Sequence, residues 1–246
     1  MRFVETARIY LAILTLTLLR AEGLAIPMET PEASPATEAP HIIQRPIPFG
    51  EYRKKLTLDY IRVHYDPAAQ DINIVPRMIV LHWTASSSAK SALATFDPDE
   101  APLYRWWVRR AGKVNVSAHF LVDRDGTIYQ LMPIEWMARH TIGLNRVAIG
   151  IENVGGPRWP LTDKQVQANA ELVRHLVVRL PTIQYLIGHQ EYLSFRGTPL
   201  WEERDPSYAT GKIDPGPDFL RKLREKVADL HLASHYKVPE RPTSPP

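Results

Sequence analysis

Three short apolar runs, each ending on a residue that can carry chemistry, constrain this chain's fold more than any other feature. Met78-Ile-Val-Leu81 runs into His82, Val147-Ala-Ile-Gly-Ile151 into Glu152, and Ile183-Gln-Tyr-Leu-Ile-Gly188 into His189. Runs of this length, rich in β-branched residues, suit strands buried on both faces. The segment SAHFLVDRDGTIYQLMP adds two more strands about Asp125-Gly126, a hairpin signal. A calcium loop is the other reading of DRDG, and it fails because the later ligands of such a loop are missing.

Between these runs lie helical patterns. Thr162 is placed as an N-cap with Gln165 three residues on, and Val166, Ala170, Val173, Leu176, Val177 and Leu180 then recur at helical spacing until Pro181 closes the element. A second helix is predicted from Pro217 to Leu232, with Leu220, Leu223, Val227 and Leu230 on one face, and a shorter one from Ser88 to Phe96. Strands alternating with helices, plus one hairpin, predict an α/β fold: a single domain with a central mixed β-sheet flanked by helices.

Residues 1–25 have early arginines, an apolar run from Ile9 to Leu19 and small residues at Gly23 and Ala25, the layout of a secretory signal peptide. That run is shorter than the roughly 20 residues that span a bilayer, so no stable membrane insertion is expected. The expected location is therefore periplasmic or secreted. Residues 26–48 are rich in Pro, Ala, Glu and Thr and read as a linker, 49–236 as one folded domain, and 237–246 as a flexible tail.

The chain has no cysteine, which excludes disulfides, a thiol nucleophile, a lipid-anchoring cysteine and any zinc site built on thiolates. A metal here has to be held by histidine and carboxylate. The net charge of +3 is a mild preference for anionic surroundings. A nucleic-acid partner is not expected, because the only basic patch with interleaved aromatics is YRWWVRR, Tyr104 to Arg110, whose tryptophans suit a core or a lid beside a sugar groove equally well. GxSxG, Walker, GxGxxG and HExxH patterns are absent; His189 begins HQEY, but Leu193 stands where a zincin needs its second histidine.

If the three strands share one sheet, their polar ends gather at one edge, where open α/β sheets place ligands. A structural imidazole at a strand end explains any one of these histidines alone; three such ends together are harder to explain that way. In GKIDPGPDF, Lys212 and Asp214 are two apart and, in extended backbone, face one side. Asp214 can complete a His-His-Asp zinc set with water at the fourth position. A local ion pair before a Pro-Gly turn is the alternative reading.

LHWTAS, SAHFLVDRDGTIYQL, ARHTIGLNRVAIGIENVG, IGHQEY and GKIDPGPDF, in this order, resemble the zinc-dependent N-acetylmuramoyl-L-alanine amidases of the second type. That family shares its fold with peptidoglycan recognition proteins and amidase-type phage lysozymes. The resemblance runs from about Met78 to Leu223 and is nearest to the bacterial branch that cleaves cell-wall fragments or anhydro-muropeptides. It implies one Zn2+ held by His82, His189 and Asp214, with Glu152 and Lys212 as the catalytic pair. His140 matches a position near the substrate groove and is expected to bind the muramyl or peptide moiety, with a structural role as its alternative. His119 is expected to be structural. Some members carry a catalytic tyrosine where Ala118 stands, so Glu152 has to serve here. The implied partner is peptidoglycan or a muropeptide. A non-catalytic peptidoglycan receptor on the same fold and a zinc hydrolase of another amide are the competing functions. The long connection from Ala89 to Val116 is expected to set specificity.

Overall fold

The computed structural model describes residues 39–237. Six strands form one sheet: β1 (Ile42–Gln44), β2 (Met78–Trp83), β3 (Phe120–Val122), β4 (Ile128–Gln130), β5 (Ala148–Asn153) and β6 (Tyr185–Gly188), in the order β1-β4-β3-β5-β2-β6. The sheet is mixed, as expected: β3 and β4 pair antiparallel through the hairpin, and every other pair is parallel. The strand β2 lies between β5 and β6, and Met78 to Leu81 are wholly buried, which is why its sequence is a continuous apolar run without alternation.

Five helices accompany the sheet: α1 (Glu51–His64), α2 (Ala89–Phe96), α3 (Trp106–Arg110), α4 (Asp163–Arg179) and α5 (Pro217–Lys226). The helix α4 starts on a reciprocal cap, with Thr162 Oγ1 accepting from the Gln165 backbone N–H and Gln165 Oε1 accepting from that of Thr162. Its buried polar residues then tie it to the sheet. Gln165 Nε2 donates to the Val122 and Val154 carbonyls. Asn169 Nδ2 donates to Asn153 Oδ1, and Asn153 Nδ2 donates to the carbonyl of His82. A helix on one face of the sheet thus fixes the backbone at the end of β2.

Elements that differ from expectation include β1, α1 and α5. The strand β1 lies inside the stretch 26–48 read as a linker, pairs with β4, and is followed by buried Ile47. Prolines at 40, 46 and 48 disguise it, yet an edge strand tolerates flanking proline because one side needs no ladder. The helix α1 was not expected because it buries Arg53, Thr57 and His64 alongside its apolar residues, which blurs the periodicity. Both terminal nitrogens of Arg53 are nonetheless satisfied there, donating to the carbonyls of Pro48, Phe96 and Val116, while its Nε has no partner. The helix α5 stops at Lys226 rather than Leu232, and a short 3-10 turn, Ala228–Leu230, carries the chain onward.

Residues 1–25, expected to be a signal peptide, and residues 238–246 of the tail lie outside the described residues. Among the described residues, no helix is long and apolar enough to cross a membrane.

Candidate active site

Parallel register brings the three strand ends together. His82 on β2 is the direct partner of Glu152 on β5, so both side chains leave the same face of adjacent strands. On the other side Leu81 pairs with Gly188, and the next step along β6 is His189, first residue of a 3-10 helix (His189–Phe195). Asp214 arrives from a distant loop, where the Gln190 backbone N–H donates to its carbonyl and the Gly216 N–H to Gln190 Oε1. That loop lies directly on β6: a Cβ at Gly188 would sit 2.9 Å from Pro215 Cδ, so only glycine permits this approach.

The result is a compact triad of donors. His82 Nδ1 lies 3.0 Å from His189 Nδ1 and 3.2 Å from Asp214 Oδ2, and His189 Nδ1 is 3.1 Å from the same oxygen. With Asp214 ionised, no placement of protons on the two rings turns all three contacts into hydrogen bonds. A proton on one imidazole satisfies its contact with the carboxylate and leaves the other imidazole facing that oxygen with a lone pair; protons on both set the two N–H groups against each other. A cation in the middle satisfies every contact. Tetrahedral zinc with bonds of about 2.0–2.1 Å spaces its ligands roughly 3.3 Å apart, close to what these residues hold. Two imidazole nitrogens and one carboxylate oxygen form the only such cluster among the described residues, and three protein ligands leave one position open.

The electrostatics divide the carboxylates. Burial by itself would raise the Asp214 carboxyl, but the adjacent His189 and His82 rings hold it well below the usual range. Burial pushes Glu152 up to about 7, against the opposing pull of His82, Arg105 and Lys212. Its Oε2 is buried and has no hydrogen-bond partner. Burial, with the neighbouring His82 ring, takes His189 down to about 4.

These residues open on one cavity of about 920 Å³, which also takes in Lys212, Arg105, Trp106 and Trp107. Lys212 is exposed while Asp214 is buried, so one wall presents a solvated cation beside a buried anion. Trp106 and Trp107 of α3 stay 65% and 53% exposed at the cavity rather than packing into the core. His119 is buried and saturated: Nε2–H donates to the Trp136 carbonyl and Nδ1 accepts from the Gly150 N–H. His140 lines the cavity, yet both its ring nitrogens face protein atoms, Nδ1 towards His82 Nε2 at 3.0 Å and Nε2 towards the Ala148 carbonyl at 3.4 Å. The sequence reading missed Thr141, beside His140, and Arg105, which carries no periodic or spacing signal.

Comparison with known proteins gives the family. Residues 72–217 match the family model for N-acetylmuramoyl-L-alanine amidase. The 1,6-anhydro-N-acetylmuramyl-L-alanine amidase AmpD of Salmonella typhimurium is 32% identical over 194 residues, covering 71% of this chain and 90% of that protein. The Escherichia coli protein of the same name is 31% identical over 174 residues, 63% of this chain and 83% of the relative. Among solved structures, the N-acetylmuramoyl-L-alanine amidase LysC from Clostridium intestinale aligns with a TM-score of 0.49 at 23% identity, covering 79% of this chain and 99% of that one. With the family model spanning more than half its length, the chain belongs to the N-acetylmuramoyl-L-alanine amidase family.

Proposed function

We propose that this chain cleaves the amide between the lactyl carbonyl of N-acetylmuramic acid and the nitrogen of L-alanine in muropeptides, using one Zn2+ held by His82, His189 and Asp214. The observation that carries this reading is the triangle of donor atoms at 3.0–3.2 Å with the unpartnered Glu152 Oε2 in the same cavity. When bound, zinc supplies a water whose pKa falls to about 7 and polarises the scissile carbonyl.

The chain's own residues supply the rest. Glu152 Oε2 accepts the proton of the attacking water and delivers it to the departing alanine nitrogen; a carboxyl held near 7 suits both transfers. Lys212, whose charge reaches Glu152 and His189, stabilises the oxyanion that develops on the lactyl carbonyl. The exposed rings of Trp106 and Trp107 offer flat apolar faces to the sugar. The relatives named above are called amidases of 1,6-anhydro-N-acetylmuramyl-L-alanine, which favours soluble fragments over intact wall as the substrate form. The signal-peptide pattern of residues 1–25 supports a reaction in the periplasm or outside the cell.

Purified protein incubated with muropeptides should release a peptide with a free L-alanine amine, seen by mass spectrometry, and a chelator should stop the release. Release that continues undiminished in chelator would rule out the zinc mechanism. Lys212→Ala should lower kcat by about 10²–10³-fold, the usual cost of one oxyanion donor. Because Lys212 is exposed, the same variant should unfold at the wild-type temperature.

A further inference from the structure

We infer that His140 is a positioning residue for His82: it fixes the ring tautomer that turns the bare Nδ1 of His82 towards His189 and Asp214. The inference rests on the metal-site reading above and assigns His140 a task other than binding substrate.

The argument starts from a backbone carbonyl. The oxygen of Ala148 can only accept, and His140 Nε2 faces it at 3.4 Å, so Nε2 carries a proton. The His140 ring hydrogen-bonds to no carboxylate among the described residues, and nothing there compensates a second proton. Its Nδ1 is therefore an acceptor, and His82 Nε2, 3.0 Å away, is the donor that fits it. A neutral His82 protonated at Nε2 has its lone pair on Nδ1, the atom 3.0 Å from His189 Nδ1 and 3.2 Å from Asp214 Oδ2.

The surroundings leave the His140 ring little freedom. Its plane is nearly perpendicular to that of His82, at 88° with 5.0 Å between centroids. Thr141 Oγ1 lies 2.8 Å from His140 Nδ1 and 3.4 Å from His82 Nε2, so its hydroxyl joins the same contact. Asn145 Oδ1 accepts from the backbone N–H groups of both His140 and Thr141, while Asn145 Nδ2 donates to Tyr65 Oη. The ring rests on the backbone of β5: a Cβ at Gly150 would fall 2.8 Å from it. A metal-binding histidine usually donates its second N–H to a carboxylate, a carbonyl or water, and losing that partner typically costs 10–100-fold in metal affinity. Here the partner is a second imidazole whose own proton is committed to the sheet.

The test compares His140→Asn with His140→Phe in the full chain. Asparagine Oδ1 sits the same number of bonds from Cα as histidine Nδ1 and restores the acceptor. Phenylalanine keeps the ring volume and removes the acceptor. Zinc affinity is read by competition with a chromophoric chelator, and the His82 tautomer from imidazole 15N shifts of the metal-free protein. The expected result is zinc binding about 10–100-fold weaker in His140→Phe, near wild-type affinity in His140→Asn, and His82 protonated at Nε2 in the wild type. A purely packing role reverses the order of the two variants, and that reversal would overturn the inference. So would a wild-type His82 protonated at Nδ1, a measurement that needs no variant to fold. A wild-type chain that binds no zinc would overturn the metal reading instead, and the 15N shifts would still decide the tautomer.

Discussion

Replacing Glu152 with glutamine should abolish turnover while zinc affinity stays at the wild-type level. The substitution removes a buried, unpartnered carboxylate oxygen from a residue that lines the cavity, and general-base catalysis of this kind is worth on the order of 10²–10⁴-fold. None of the three proposed metal ligands changes, so activity and binding should separate. The same variant has a second, independent signature in metal-free protein. Glu152 holds its proton up to about pH 7 when folded and releases it near its ordinary value of 4.5 when unfolded. Between those values the folded state binds the extra proton, so stability falls as pH rises from about 4.5 to about 7 and stays low above that. The span of the shift corresponds to something on the order of 3 kcal/mol. Metal-free Glu152→Gln should therefore melt above the wild type at pH 8, and the gap should close by pH 5. An active Glu152→Gln, or one with no stability gain at pH 8, would remove Glu152 from the role assigned to it.

His82→Ala should lose both bound zinc and turnover, leaving the residual rate of chelated wild type. The substitution takes away one corner of the donor triangle and leaves His189 and Asp214 as a two-ligand remnant. The strand itself should survive. What β2 contributes to the sheet at this position is backbone, and the His82 carbonyl still accepts from Asn153 Nδ2 when the side chain is alanine. A far-ultraviolet spectrum like that of the wild type, together with zinc at well under one equivalent, is the expected pair of results. Wild-type zinc content in His82→Ala would mean that the metal, if there is one, sits elsewhere.

Much of this architecture was legible because buried parallel strands with polar ends leave marks in one dimension. A continuous apolar run that stops on His82, Glu152 or His189 encodes both burial and position, since the sheet's register places the stops side by side. The cap of α4 was legible for the same local reason, Thr162 and Gln165 being three residues apart. What stayed hidden depends on partners far along the chain. The α1 helix is masked by Arg53, whose terminal guanidinium nitrogens donate to carbonyls up to 63 residues away. His140 was placed near the site by resemblance, but which ring nitrogen meets which neighbour follows from the Ala148 carbonyl and Gly150, and no spacing rule reports that. Lys212 and Asp214 share a side in an extended segment, yet one is exposed and the other buried, a difference set by the packing of Pro215 on Gly188.

The central claim is that a single metal ion at His82, His189 and Asp214 makes this chain an amidase. Titrating zinc into metal-free enzyme while following muropeptide cleavage tests it most directly. Activity should be absent at the start, rise linearly and break at one equivalent of zinc per chain. Full activity before any metal is added would contradict the claim.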